Sequence, residues 1–124
     1  MRTHAAVLYE REKTQPYALS LPLIVEEIEL EGPGAGEALV EIVGAGLCHS
    51  DLSTLNGTLP RPLPMILGHE ASGIVREVGA GVNDIKVDDH VVFSFVPGCG
   101  HCQFCAVGRP ALCENGAKTN MTGT

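Results

Sequence analysis

The segment 97–113 reads PGCGHCQFCAVGRPALC and carries four of the chain's five cysteines. They stand at Cys99, Cys102, Cys105 and Cys113. Four thiolates at such short spacings can complete the tetrahedral shell of a Zn²⁺ ion and leave no position for a substrate, which is the arrangement of a structural site. Glycines in and before the cluster let the backbone turn tightly around a metal. The sequence therefore predicts a structural zinc lobe over residues 97–114.

The alternative for these cysteines is a disulfide framework or free thiols. An odd total of five cannot pair completely, and clustered cysteines in a reducing cytosol are more often metal ligands. The N-terminal sequence MRTHAAV lacks a signal-peptide pattern, and no apolar run approaches the roughly 20 residues that span a bilayer. These features favour a cytoplasmic protein and therefore favour the zinc site over disulfides.

Length and charge restrict the class of protein. At 124 residues the chain has the size of one domain. Its formal net charge is −7, and Lys and Arg never form a run, so the positive surface expected of a nucleic-acid binder is missing. Nucleic acid and anionic membranes are therefore not expected as partners.

The spacing of apolar residues favours a mainly β fold. They come in short, β-branched runs separated by Gly and Pro, as in a small barrel or sandwich with a Val, Ile and Leu core. The predicted strands are Thr3–Tyr9, Leu23–Leu30, Ala38–Ala45, Glu70–Val78 and Asp89–Val96. A short helix is expected over Ser50–Asn56. The polar segment Asn120–Thr124 shows no closing strand pattern, so the barrel is expected to be incomplete.

A second group of residues has the composition of an open metal site. Cys48 and His69 could supply two ligands and leave positions for substrate or water. From the residues alone, a buried cysteine and a histidine in a turn are an equally ordinary explanation. Ser50, Asp51 and Glu70 stand beside these two residues, and a metal-bound histidine usually donates its other N–H to a carboxylate. This density of polar chemistry favours the metal site.

Three motifs together resemble one family. The stretch Gly68–Val82 fits G-H-E-x2-G-x5-G-x2-V, and it resembles the zinc signature of the medium-chain, zinc-dependent alcohol dehydrogenases. Gly46–Leu52 is similar to the family segment that carries the first catalytic zinc ligand, and the four-cysteine segment has the family's spacing. The resemblance covers nearly the whole chain. It implies a GroES-like β-barrel catalytic domain over residues 1–124, which in the family is followed by a Rossmann domain.

The resemblance also implies roles for individual residues. Cys48 and His69 would bind the catalytic zinc, with Glu70 as a neighbour or transient ligand. Ser50 would take the proton from the substrate alcohol, and Asp51 would orient His69. The structural zinc would be held by Cys99, Cys102, Cys105 and Cys113.

The implied reaction is hydride transfer between an alcohol, or its aldehyde, and NAD(P), with zinc polarising the alcohol oxygen. His49 stands where family members often have a residue facing the cofactor pyrophosphate; an exposed loop histidine is the alternative. Full-length members are homo-oligomers. The sequence leaves the substrate alcohol and the choice between NAD and NADP open.

The sequence departs from the family pattern at several points. Ser53 stands where relatives often continue the proton relay with a histidine, so the relay is shorter, mediated by water or routed through His49. No cysteine remains as a third ligand of the catalytic zinc, and no G-x-G-x-x-G follows a strand. Asp88 replaces a glycine in a turn that often needs positive φ, which Asp tolerates at a modest cost.

Two further functions compete with this assignment. One is a stand-alone zinc module that serves as a scaffold or interaction domain, although a scaffold has no use for a relay hydroxyl beside two ligands. The other is a related reductase or sorbitol-type dehydrogenase of the same superfamily. For the isolated 124-residue chain we expect little or no dehydrogenase activity, because it lacks a nucleotide-binding motif and a zinc ligand.

Overall fold

The computed structural model describes residues 1–122 and is mainly β, as predicted. Its strands form two antiparallel three-stranded sheets, ordered β2-β1-β4 and β3-β5-β6. The strands are β1 Arg2–Leu8, β2 Leu23–Glu29, β3 Ala38–Ala45, β4 Met65–Ile66, β5 Ala71–Val78 and β6 His90–Val92. The helices are α1 Tyr17–Ser20, α2 His49–Leu55, α3 Gln103–Ala106, a 3₁₀ turn at Pro110–Leu112 and α4 Glu114–Thr122. None of the described helices has the length and apolar character to cross a membrane.

The first sheet is organised around β1. This strand pairs with β2 along its whole length, from Arg2 opposite Glu29 to Leu8 opposite Leu23. Its C-terminal end also pairs with the two-residue strand β4. Because β4 leads directly into the Gly68-His69-Glu70 segment, this pairing fixes where that segment leaves the sheet.

The second sheet is organised around β5, which begins directly after Glu70 and contains Gly73 of the G-H-E signature. It pairs with β3 through two register shifts, between Leu39 and Val40 and between Ile42 and Gly44. A Cβ at Gly73 would lie 2.3 Å from the Glu41 carbonyl oxygen, so only glycine permits this approach of the two strands. The signature glycine is therefore a packing requirement of the sheet.

The buried core is small. The buried apolar side chains among the described residues are Val7, Leu8, Leu55, Val75 and Cys113. The expectation of a core that also contains isoleucine was wrong, because Ile24 is 46% and Ile42 49% exposed, while Ile28 and Ile74 are only half-buried. An open cavity of about 670 Å³ separates β1 from β3 and β5. The described residues thus form two sheets that flank a space without closing a barrel.

Two predicted segments differ from the structure by more than one residue. The strand expected over Asp89–Val96 extends only over His90–Val92, because β6 pairs with just three residues of β5 before the chain turns toward the cysteine segment. The tail expected at Asn120–Thr124 is helical in α4 as far as Thr122, and its last two residues lie outside the described part of the chain. The first α4 turn follows Cys113 directly, and Glu114 is favoured there by the helix dipole.

The turn before β6 confirms the prediction of positive φ at Asp88, which has φ 71°. Its carboxylate accepts a hydrogen bond from Arg76 Nη1 at 2.9 Å. The short helix was also predicted correctly apart from a shift of one residue, since α2 covers His49–Leu55 and Asn56 is its C-terminal cap.

Candidate metal centres and active site

The four-cysteine cluster has the dimensions of a metal site. The sulfur atoms of Cys99, Cys102, Cys105 and Cys113 all lie within 4.8 Å of one another. The sulfurs of Cys102 and Cys113 are 3.9 Å apart. Zn–S bonds of about 2.3 Å in a tetrahedron place the sulfurs about 3.8 Å apart. The donor set therefore has dimensions close to those of a tetrathiolate zinc site.

Short helices and backbone N–H groups build this cluster. Cys102 precedes α3, Cys105 lies within it, and Cys113 follows the 3₁₀ turn. The Cys113 side chain is fully buried, and its sulfur accepts N–H groups from Cys99 at 3.3 Å and Gly116 at 3.2 Å. These two N–H donors hold the Cys113 sulfur in place within the cluster.

Three of the thiols, those of Cys99, Cys102 and Cys105, differ in acidity. The backbone N–H of His101 is the main cause that lowers the pKa of Cys99 to about 6. Desolvation raises the pKa of Cys105 to about 11. A hydrogen bond from the backbone of Cys105 is the largest contribution to a lowered pKa at Cys102. Cys99 is therefore largely a thiolate at neutral pH, whereas Cys105 stays protonated until a metal ion displaces its proton.

The second cluster consists of Cys48, His69 and Glu70. One potential ligand atom from each lies within 4.8 Å of the others. Cys48 is the N-cap of α2, and the other two residues follow β4. A hydrogen bond between the backbone N–H of Gly46 and the Glu70 carbonyl, at 2.7 Å, holds the two segments together. A thiolate, an imidazole and a carboxylate form a donor set that suits zinc.

Asp51 links the two segments through its side chain. One carboxylate oxygen accepts the backbone N–H of Cys48 at 3.0 Å, and the other lies 3.5 Å from His69 Nδ1. The residue is only 7% exposed, so solvent weakens these interactions little. With Nδ1 held by Asp51, the Nε2 atom of His69 faces the cluster, where it lies 3.6 Å from Glu70 Oε1. This is the orientation that a histidine ligand needs.

Ser50 lies on the same side of His69. Its Oγ is 3.2 Å from His69 Nε2, and its hydrogen bond to the sulfur is the largest contribution that lowers the pKa of Cys48. Backbone contact with Ser50 and the proximity of His69 lower it further. The environment therefore favours the Cys48 thiolate and places a hydroxyl beside both potential ligands.

A cavity adjoins this second cluster. It has a volume of about 240 Å³, and its walls include Ser50, Asp51 and His69. Phe95 also lines it and packs against the His69 ring, with 4.7 Å between ring centroids and a tilt of 60°. A small molecule in this cavity reaches the serine hydroxyl and the histidine ring. The four-cysteine cluster contributes none of its ligands to these walls.

Residues 34–124 match the sequence profile of the alcohol dehydrogenase GroES-like domain. The match covers most of the chain. The chain belongs to this family.

Related proteins agree with this assignment. This chain is 46% identical over 117 residues to the NDMA-dependent alcohol dehydrogenase of Amycolatopsis methanolica. The aligned region covers 94% of this chain and 29% of the relative. Among solved structures, an alcohol dehydrogenase zinc-binding domain protein from Burkholderia ambifaria superposes with a TM-score of 0.85 at 36% identity, over 98% of this chain and 30% of the other. A thermostable alcohol dehydrogenase from Pyrobaculum aerophilum, solved with cobalt and zinc bound, gives a TM-score of 0.77 at 31% identity. The superposition covers 92% of this chain and 33% of the other.

These comparisons confirm the family resemblance and the mainly β, GroES-like fold that the motifs predicted. The chain spans about 30% of the length of the curated relatives that it matches. The comparisons do not bear on the roles of individual residues. Those roles stay predictions that the geometry above makes specific.

In the GroES-like domain His49 lies on an exposed face of α2. Its Nδ1 is 3.4 Å from the Ser53 hydroxyl one helical turn later, a long and exposed contact. Of the sequence-predicted site residues, His49 is therefore not part of the Cys48 and His69 cluster itself.

Sequence reasoning missed three residues around the cavity of the GroES-like domain. Phe95 covers His69, and Arg61 and Asn120 line the same walls. These three residues lie in a loop, a proline-rich segment and α4, and only the packing of those elements brings them together. Their spacing in the sequence carries no signal of a site.

Proposed function

We propose that residues 1–124 form the catalytic domain of a zinc-dependent alcohol dehydrogenase, with a structural zinc lobe at 97–114. Cys48, His69 and Glu70 contribute the ligands of a catalytic zinc ion in this proposal. The observation that carries it is the placement of Ser50 Oγ, 3.2 Å from His69 Nε2, at the wall of a small cavity. A structural metal site needs neither the hydroxyl nor the cavity.

Zinc, when bound, supplies a Lewis acid that makes an alcohol hydroxyl more acidic. Ser50 lies beside the ligands and lines the cavity, so its hydroxyl would accept the substrate proton and release its own proton toward solvent. Asp51 holds the Cys48 backbone and the His69 ring in one arrangement. Phe95 covers the ring and limits the access of water to it.

The hydride acceptor in this proposal is NAD(P). Relatives named as alcohol dehydrogenases are about three times as long as the chain, and residues 1–124 contain no G-x-G-x-x-G motif after a strand. The nucleotide is therefore bound mainly by polypeptide that corresponds to the remaining part of those relatives. His49, on the exposed face of α2, contributes to that contact. A cytoplasmic location, an alcohol or aldehyde substrate and homo-oligomers of the whole protein belong to the same proposal.

Cobalt substitution tests the proposal on the 124-residue chain itself. Co²⁺ replaces zinc in such sites and gives visible absorption that depends on its ligands. We expect two Co²⁺ environments, of which only one changes its spectrum when benzyl alcohol is added. Cys48→Ala removes the responsive environment, and Cys102→Ala removes the other.

If Co²⁺ is bound at Cys48 but its spectrum does not change when the alcohol is added, the proposal is contradicted and the scaffold alternative is supported. NAD⁺-dependent oxidation of benzyl alcohol by the 124-residue chain contradicts a different part of it, the assignment of nucleotide binding to other polypeptide. The two failures are therefore distinguishable.

A further inference from the structure

Arg61 is the one buried Lys or Arg side chain among the described residues, at 7% exposure. It stands between Pro60 and Pro62 and lines the 240 Å³ cavity that also touches Ser50 and His69. A buried charge is costly unless a partner of opposite charge compensates it. The cavity beside the candidate catalytic zinc ligands therefore contains a cation whose position needs an explanation.

The partners of the guanidinium within residues 1–122 are neutral. Its Nη1 donates to the sulfur of Met121 at 2.7 Å, and its Nη2 donates to Asn120 Oδ1 at 2.6 Å. A thioether is a weak acceptor. A guanidinium has five N–H donors, and these two bonds use only two of them. No carboxylate of the described residues forms an ion pair with it.

The side chain is nevertheless held in place. Asn120 donates its Nδ2 group to the Phe95 carbonyl and accepts from Arg61, so α4 connects the guanidinium to the residue that covers His69. The Arg61 carbonyl accepts a hydrogen bond from Arg11 Nη1 at 2.7 Å. A fixed planar donor group is suited to a carboxylate, because it loses little freedom when both oxygens bind.

One acidic side chain, Asp51, lines the same cavity. Both of its oxygens are already engaged, one by the Cys48 N–H and one by His69. It forms no direct ion pair with the guanidinium. The end of α4, near Asn120 and Met121, provides a partial negative charge that compensates part of the cost.

We propose that Arg61 binds the carboxylate of a small substrate, so that this cavity selects alcohols or aldehydes that carry an anionic group. The inference rests on the proposed function, because the hydroxyl end of the same molecule reaches Ser50 and His69, which line the same cavity. The cavity, at about 240 Å³, is smaller than the 300 Å³ or so at which pockets for drug-sized ligands begin, which fits a compact hydroxy acid. Arg61 is in this sense a specificity-determining residue.

The test compares a carboxylate with its uncharged isostere on the zinc-loaded 124-residue chain. Butyrate and butyramide have the same shape, and neither carries a hydroxyl. We expect butyrate to bind at least about tenfold more tightly, in keeping with a charge-assisted hydrogen bond. The NMR signal of the Arg61 Nε–H group is expected to shift with butyrate and not with butyramide. Equal affinities, or an unchanged Arg61 signal, overturn the inference.

Variants identify which group binds the carboxylate. Arg61→Gln is expected to remove the preference for butyrate, Arg61→Lys to keep part of it, and the exposed control Arg2→Gln to leave it intact. If the role of Arg61 were only to hold α4, Arg61→Gln would weaken both ligands equally, and that result overturns the inference. If Arg61→Gln does not fold, the wild-type Nε–H shift decides the question.

Cys48→Ala separates this inference from the proposed function. The preference for butyrate is expected to survive in this variant, because the carboxylate binds Arg61 and not the metal. Its loss overturns the inference. The proposed function predicts separately that 4-hydroxybutyrate binds the wild-type chain more tightly than butyrate does, and a failure of that prediction leaves the butyrate comparison unaffected.

Discussion

The chain contains two cysteine-based sites that differ in how they are enclosed. In the lobe, four thiols surround one point, and Cys113 is completely buried beneath backbone N–H donors. At the second site, only Cys48 contributes a thiol, and its neighbour Glu70 has a side chain that is 53% exposed. The two sites differ in the number of protein donors and in the adjoining space, and on this difference we base the proposal that the lobe is structural and the second site catalytic. Each prediction below changes one side of this comparison.

The largest effect is expected from removal of metal, which should unfold the four-cysteine lobe. The lobe has little apolar core of its own, so zinc supplies much of its folding free energy; structural zinc contributes on the order of 10–16 kcal/mol in zinc-finger peptides. After chelation, amide exchange measured by NMR should become fast over 97–122 and change little in β1 and β2. Cys102→Ala should reproduce this pattern and Cys48→Ala should not. Retained protection over 97–122 without metal would contradict the structural role of the lobe.

Asp51→Asn is expected to weaken metal binding at the second site by about 10–100-fold, because the residue orients His69 and the Cys48 backbone from outside the ligand set. Competition with a chromophoric chelator measures the change. The lobe should keep its affinity in the same experiment and so serves as an internal control. An equal loss at both sites would show that Asp51 supports the whole fold and has no particular role in orienting His69.

Gly116→Ala tests how tightly the lobe is closed. A Cβ at this position would lie 1.8 Å from the Pro97 carbonyl oxygen, and Gly116 donates its N–H to Cys113. We expect a loss of about 1–3 kcal/mol in the free energy of unfolding, measured by urea denaturation of the zinc-loaded chain. Gly32→Ala is the matched control, since a Cβ there meets no atom within 4 Å. Similar stabilities of the two variants would contradict the close packing of α4 on the lobe.

The smallest effect is expected for Ser53→Ala. The hydroxyl makes a long, exposed contact of 3.4 Å with His49, so its removal should change stability by less than about 0.5 kcal/mol. Zinc affinity at both sites should be unchanged. A clear loss of metal at Cys48 in this variant would extend the second site along α2, and isothermal titration of zinc would detect it.

The sequence predicted the regions whose chemistry depends on spacing. Cysteine spacing identified the lobe, and short β-branched runs between Gly and Pro identified all of the longer strands, because both features are local. The open site was predicted first from the polar residues beside Cys48 and His69, and then from a resemblance that spans Gly46–Leu52 and Gly68–Val82. The structure brings Cys48, Ser50 and His69 together, although their individual roles remain predictions.

Long-range packing accounts for what the sequence did not reveal. Arg61 and Asn120 meet across 59 positions, and no local pattern indicates such a contact. α4 was missed because its sequence, ENGAKTNMT, is polar and has no regular apolar spacing. It is a helix because Cys113 and Gly116 fix its first turn against the lobe. The length of β6 is likewise set by long-range pairing, because β6 ends where its partner strand β5 begins.

The most direct test of the two-site account is the zinc content of the chain, measured by elemental analysis after purification without chelator. The wild type should retain one firmly bound zinc ion after dialysis, and Cys102→Ala should lose it. A second, weaker equivalent should appear only when zinc is added, and Cys48→Ala should abolish only that one. A chain that binds no zinc, or in which both variants lose the same ion, would contradict the distinction between a closed and an open site.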